Sequence, residues 1–421
     1  MRAVLIVVVL ALAQAHASAA PRQIDDHHWE GIERIVAVGD LHGDFENYMA
    51  VLRAAGLVDE RGRWSGGEAH LVQTGDIPDR GPDTKKIIEH MVRLARQADR
   101  RGGRVHNLMG NHEAMNVYGD LRYVTPDEFE AFATSRSERL RDRYFEMFMA
   151  NLEERDPERF ESLPDDFRQQ WEAAHPPGWV EHRQAWNPRW NADGEMFEWV
   201  MATRVAIRLN DLVFVHGGIS SVYCANSLES LTGQAREALR GDEPDDLGIL
   251  VDELGPLWYR GLSGVTPEAR PETVDAILEQ HEARHIVVGH TPTGGVVWPR
   301  YDGKVIQIDT GLSAAYGGHV GYLEVTPDGL FAGYRSGRVP LPAGDDGRVA
   351  YLERVARMHP DNDSIAERLT RLKASSDRKP EPEDRAATDA AGEEPTDAAA
   401  GEPAEADDVR PAPAPICGRS G

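Results

Sequence analysis

The sequence predicts an α/β fold, a β-sandwich flanked by helices in four layers (αββα), with a helical segment inserted midway and an acidic tail. Three observations carry this expectation. From Ile32 onward, short apolar runs end in Gly-Asp, Gly-Asn or a histidine and are followed by helical stretches, so strands and helices alternate around loops. Between about Thr125 and Val200 the alternation gives way to charged helical segments carrying Trp171, Trp179, Trp186, Trp190 and Trp199. Strand patterns then return, and the last pair is joined by turn residues, as in a closing antiparallel meander.

Taken in order, residues 1–19 read as a secretion signal: Arg2, an apolar run from Ala3 to Ala13, and small residues at Ala17 and Ala19 for cleavage. The run is well short of the roughly 20 residues that span a bilayer, so the mature chain is expected to be secreted or periplasmic, without stable membrane insertion. Arg34–Val38, His70–Gln73 and Val105–Met109 read as strands, separated by helices over Asp44–Ala55 and Asp83–Arg100. The insert, 125–200, reads as a cap whose aromatic side chains either form a small core of their own, the reading base rates favour, or line a groove over the active site.

Strands resume at Arg204–Leu209 and Leu212–His216 around the hairpin turn Asn210-Asp211, then at His285–Val288 and Val305–Ile308. Gly321–Val325 and Leu330–Tyr334 follow, linked through Pro327-Asp328-Gly329, and helices over Gly347–Met358 and on to Leu372 finish the fold. Residues 20–124 and 201–373 thus form one catalytic domain around the insert. The Pro/Glu/Asp/Ala-rich tail, 374–421, has too little apolar bulk to offset its ordering entropy and is expected to be disordered. Of the two cysteines, Cys224 and Cys417, the second lies in that tail, and both are expected to be free thiols.

The formal net charge is −25, part of it in the tail. Such a chain repels nucleic-acid backbones and anionic membranes over a Debye length, which excludes nucleic acid as a partner. A monomer acting on a separate substrate is the expectation.

The chemistry sits in five short motifs, each directly after an apolar run: Gly39-Asp40-Leu41-His42-Gly43, Gly75-Asp76-Ile77-Pro78-Asp79-Arg80-Gly81, Gly110-Asn111-His112-Glu113, His216-Gly217-Gly218 and Gly289-His290-Thr291. Taken singly each is an ordinary turn or a structural histidine. Together they supply three ligands for one ion and four for another, with Asp76 as the bridge. Two ions about 3.5–4 Å apart acidify a shared water and neutralise phosphate oxygens, so the set points to in-line phosphate-ester hydrolysis by a metal-bridging hydroxide.

These motifs resemble those of the calcineurin-like metallophosphoesterases, in the phosphoprotein phosphatase branch. GNHEAMN, PLWYRG and AAYGGH are most similar to the bacterial-like, Shewanella-like protein phosphatases. The resemblance covers roughly residues 34 to 335 apart from the insert. It implies that Asp40, His42 and Asp76 hold one metal and that Asp76, Asn111, His216 and His290 hold the other. It implies further that His112 protonates the leaving oxygen, that Asp79 orients its ring, and that Arg80 grips the phosphate with its planar fork, with Asn111 also facing substrate. Where eukaryotic-type relatives carry an arginine before GNHE this chain has Met109, and Arg260 is the candidate to take over that phosphate contact. Tyr316 is a possible pocket residue with an equal claim to packing.

The implied substrate is a phosphorylated protein or peptide, with tyrosine, serine and threonine all open. The alternatives are a hydrolase of dinucleoside polyphosphates or other small phosphate esters, and a noncatalytic metal-binding or docking protein. The ligand types suit two divalent or mixed-valence ions drawn from manganese, iron and zinc.

Overall fold

The computed structural model describes residues 22–241, 247–265, 267–376 and 417. The expected signal, 1–19, and the tail beyond Ser376 other than Cys417 lie outside the described residues. Thirteen strands are formed among the described residues: β1 (Arg22–Asp25), β2 (His28–Glu30), β3 (Ile35–Val38), β4 (His70–Gln73), β5 (Arg104–Asn107), β6 (Ala206–Leu209), β7 (Leu212–Val215), β8 (His285–Val288), β9 (Trp298–Arg300), β10 (Val305–Gln307), β11 (Gly321–Thr326), β12 (Gly329–Tyr334) and β13 (Gly337–Pro340). They make two sheets, ordered β1-β2-β6-β7-β8-β10-β9 and β13-β12-β11-β3-β4-β5.

Side chains alternate across each strand, and the alternation builds the layers. Ile35 and Ala37 of β3 face Phe214, Val287 and Ile306 of the other sheet, in a core between the two. Val36 and Val38 point the opposite way, into a cluster with Tyr48 and Leu52 of α1 (Phe45–Ala54) and Ile87, Met91 and Leu94 of α2 (Thr84–Asp99). On the far side, Val213, Val215, Ile286 and Val288 pack against Val274, Ile277 and Leu278 of a helix over Pro271–Gln280. The four layers expected from the sequence are therefore present.

The remaining helices up to the second sheet pair are α3 (Asn111–Tyr118), α4 (Pro126–Glu130), α5 (Ser137–Arg155), α6 (Pro157–Glu161), α7 (Phe167–Ala174), α8 (Trp179–Trp186) and α9 (Glu195–Ala202). In this helical stretch Tyr144 stacks on Trp190 with ring centroids 4.8 Å apart, and the Arg183 guanidinium lies over Trp179 and Trp190. Trp186 is fully buried.

One expectation is overturned. Cys224 and Cys417 form a disulfide, with Cα atoms 5.5 Å apart across 193 positions, so neither thiol is free. A pairing between residues so far apart in sequence depends on the folded approach of the chain, which spacing does not reveal. The last helix, Asp363–Ser376, also runs slightly into the segment expected to be tail.

Candidate metal centre

All six expected metal ligands, and the acid and its orienter, follow the C-terminal ends of strands. Asp40 and His42 follow β3, Asp76 and Asp79 follow β4, Asn111 and His112 open α3 after β5, His216 follows β7, and His290 follows β8. This is the sheet edge where α/β folds gather ligands, because the connecting loops converge there. All eight side chains are buried. A cavity of about 820 Å³ opens at the other end of the sandwich, beside Gly31, Arg208, Asp211 and Pro327, but the chemistry-bearing side chains gather at this edge.

The backbone bends hard to bring them in. His42, Asp76, Asp79, Arg80 and His290 have φ of 44°, 57°, 72°, 63° and 64°, five of the nine non-glycine residues with positive φ among the described residues. Each such residue costs of order 1–3 kcal/mol and persists only where its surroundings hold it. The holding bonds are visible. The amides of Leu41 and His42 donate to the Asp76 carbonyl at 2.9 and 3.1 Å, and the Arg80 amide donates to the Tyr123 carbonyl at 3.0 Å. Glu113 accepts from the amides of Gly110, Asp76 and Ile77 at 2.8, 2.9 and 2.8 Å. At the start of α3 the His112 amide donates to Asp76 Oδ1 at 2.9 Å, where the helix dipole also favours a carboxylate.

The histidines reveal what the centre is for. His216 Nδ1 lies 2.9 Å from the Thr74 carbonyl and His290 Nε2 lies 3.2 Å from the Trp258 carbonyl, so those nitrogens carry the protons. Their other nitrogens, His216 Nε2 and His290 Nδ1, then face each other at 3.1 Å as lone pairs. Asn111 Oδ1 and Asp76 Oδ2 stand 3.0 and 3.3 Å from the same His216 Nε2. Four acceptors pointing at one another are a cation site, since ligand atoms about 2.0–2.2 Å from one ion stand roughly 3–4 Å apart. A second group adjoins it: His42 donates from Nδ1 to the Pro78 carbonyl at 3.1 Å, and its Nε2 lies 4.0 Å from both Asp40 Oδ2 and Asp76 Oδ2. Asp76 belongs to both groups, as a bridging ligand must.

The electrostatics agree. Burial, then the charges of Asp309 and Asp76, push the Asp40 carboxyl well above the usual range. Burial chiefly raises Asp309 to about 6, and burial with the nearby Asp76 raises Glu113 to about 7. Such crowding of acids out of water is relieved by cations. Burial lowers His42 to about 3 and, with the Arg260 charge, holds His290 well below its ordinary value, so both rings are neutral, the form a metal ligand needs. The donor set, oxygens and imidazoles, fits two borderline transition ions.

His112 differs from the ligands. Its Nδ1 is hydrogen-bonded to Asp79 Oδ2, and its Nε2 points toward Asp76 Oδ2 at 3.8 Å, facing the centre. Burial alone would lower its pKa, but Asp76 and Asp79 outweigh burial and hold it above 6.5. A protonated ring serves better as an acid than as a ligand. Arg80 is half-buried between two rings, its guanidinium carbon 4.4 Å from the Tyr123 centroid and 5.1 Å from that of Tyr316, and its Nε has no hydrogen-bond partner. Arg260 reaches the same edge but donates to the His290 carbonyl at 2.8 Å and the Thr291 hydroxyl at 3.2 Å, so it holds the His290 loop. Met109 is fully buried in the core and offers nothing to a phosphate.

Four residues the motifs did not single out belong to the site. Asp309 follows β10 in Ile308-Asp309-Thr310-Gly311, the same strand-then-acid pattern as the motifs. Asn116 donates to Asp79 Oδ1 at 2.9 Å from the second turn of α3. Tyr123 faces His112, with ring centroids 5.1 Å apart. Glu128, in α4, accepts from the Asp79 amide.

Comparison with known proteins follows this geometry. The calcineurin-like phosphoesterase family matches residues 33–294. An uncharacterized protein of Schizosaccharomyces pombe is 31% identical over 69% of this chain and 77% of its own length. Shewanella-like protein phosphatase 2 of Arabidopsis thaliana is 29% identical over 68% of this chain and 73% of its own. Among solved structures, the cold-active protein-tyrosine phosphatase of a psychrophilic Shewanella species is 29% identical, with a TM-score of 0.56, over 75% of this chain and 82% of its own.

Proposed function

Because the chain belongs to the calcineurin-like phosphoesterases and is a metal-dependent phosphatase, we propose that its substrates are phosphorylated proteins, phosphotyrosine among them. The observation that carries this reading is the gathering at one sheet edge of a histidine hydrogen-bonded to the Asp79 carboxylate, an arginine between two tyrosine rings, and two buried groups of potential ligand atoms that share Asp76. Asp40, His42 and Asp76 would hold one ion, and Asp76, Asn111, His216 and His290 the other. When bound, the ions supply an activated water and charge against the phosphate oxygens.

The rest is done by the chain. Arg80 offers its fork to two phosphate oxygens. The half-buried rings of Tyr123 and Tyr316 hold that fork and wall the pocket with aromatic surface suited to an aryl ester. Asp79, itself held by Asn116, keeps His112 protonated and aimed so that the leaving oxygen receives a proton as its bond to phosphorus breaks. The likeness to a solved protein-tyrosine phosphatase supports the aryl reading.

The test is a rate comparison of phosphotyrosine, phosphoserine and phosphothreonine peptides and of free small phosphate esters with the metal-loaded chain. Higher kcat/KM on the tyrosine peptide than on free small phosphate esters is expected. Activity confined to the small esters would overturn the protein-phosphate reading. We further propose export from the cytoplasm: the expected signal supports it, and the Cys224–Cys417 disulfide suits an oxidising compartment.

A further inference from the structure

We propose that Glu128, from the first helix of the inserted segment, is a positioning residue for catalysis, holding the Asp79–Arg80 turn so that Asp79 can aim His112. The proposal rests on the reading of His112 as the acid. Asp79 and Arg80 are consecutive non-glycine residues in left-handed conformation, at φ 72° and 63°. Neither is stable alone, and both backbone amides are held by one short stretch of chain, 123–128, that leads into the first helix of the insert. The Arg80 amide donates to the Tyr123 carbonyl at 3.0 Å, and the Asp79 amide donates to Glu128 Oε1 at 3.3 Å.

The local reason for a glutamate here is a helix start. Thr125 caps α4, its hydroxyl accepting from the Glu128 amide at 3.2 Å, Pro126 occupies the first turn, and Glu128 stands three residues on, in the Thr-x-x-Glu spacing of a capping box. A capping box accounts for a carboxylate turned back on the Thr125 amide. It does not require that carboxylate to be 0% exposed, nor to lie against the amide of the residue that orients the acid. The helix is seated from its other side: the His182 ring packs on Phe129 and Phe132, with centroids 5.0 and 4.9 Å away. Asp79 is thus gripped twice, at its side chain by Asn116 and at its backbone by Glu128. The insert joins the catalytic turn to the helices above it.

A residue acting through the acid has a signature that a merely structural residue lacks. Protonation matters for a poor leaving group and hardly at all for one that departs as a stable anion. Glu128→Ala, Glu128→Gln and, as reference, His112→Asn are therefore compared on an alkyl phosphate ester and on p-nitrophenyl phosphate, with metal content measured on each. His112→Asn is expected to lose at least about 100-fold more kcat on the alkyl ester than on p-nitrophenyl phosphate. Glu128→Ala is expected to repeat that selectivity in weaker form, about 10-fold, with KM and metal content held, and Glu128→Gln, which keeps an acceptor at the Asp79 amide, to recover most of the loss. Should the alanine variant not fold, Glu128→Asp, which withdraws the acceptor by one methylene, carries the same comparison. Equal losses on both substrates, or no loss, in the Glu128 variants while His112→Asn stays selective would overturn the positioning role alone. Absence of selectivity in His112→Asn would overturn the acid assignment and this inference with it.

Discussion

His112 is surrounded by groups that pull its pKa in opposite directions, and the balance can be read in a pH profile. Burial disfavours the imidazolium, and the Asp76 and Asp79 carboxylates favour it more, leaving the ring above its ordinary 6.5. A group raised in this way is protonated at and below its unfolded value, and its contribution to stability is lost as pH rises through the folded value. Turnover of substrates that need the acid follows the same sign, holding past pH 6.5 and falling only as pH rises through the raised value of His112. In Asp79→Asn one of the two supports is gone, so the fall should move to lower pH, with the rate also reduced about 100-fold as the ring loses its aim. The check is kcat/KM against pH for parent and variant on an alkyl phosphate. A fall at unchanged pH would show that Asp79 does not set the state of His112.

The elements that carry the site were legible because each does one recognisable thing. An apolar run that stops at Gly-Asp or Gly-Asn is a buried strand delivering a ligand at its end, and β3, β4, β7 and β8 lie within two residues of where their runs predict them. The edge strands β1, β9 and β13, and β2 next to β1, have only three or four residues, and Pro299 within β9 argues against a strand, so periodicity could not show them. The roles of Glu128 and of Asn116, the last residue of GNHEAMN, were hidden for another reason. Both sit inside helical stretches where an acid or amide reads as a solvated face, and only tertiary packing turns them onto Asp79. The glycines in the motifs are explained by close approach. A Cβ on Gly110 would stand 2.2 Å from Asp76 Oδ1 and 2.5 Å from the Asp76 amide nitrogen, too close for either to remain. Gly110→Ala should therefore lower both metal content and the unfolding midpoint, the latter by about 1–3 kcal/mol of stability. Elemental analysis and a denaturant titration measure the two, and a variant with full metal content and parental stability would show that the β5–α3 junction relaxes without cost.

Across the whole molecule the proposed ligands are divided between the sheets: Asp40, His42, Asp76 and Asn111 follow strands of one, and His216 and His290 follow strands of the other. Bound ions would therefore tie the two halves of the sandwich at one end, where buried carboxyl groups otherwise repel one another. Burial and mutual repulsion already hold Asp40 and Asp309 above the usual range, which is the direction expected of acids that await a cation. Ions that bind the folded chain and not the unfolded one stabilise it by mass action, about 2.7 kcal/mol at a free concentration one hundred times Kd. Chelation should accordingly lower the unfolding midpoint, and manganese or zinc added back should restore it. The effect should be smaller in Asp76→Asn, whose bridging oxygen is no longer charged, so that the two clusters lose their common ligand. A melting curve unmoved by chelation, with elemental analysis proving that the metal has left, would mean that the sheets hold this edge together without it.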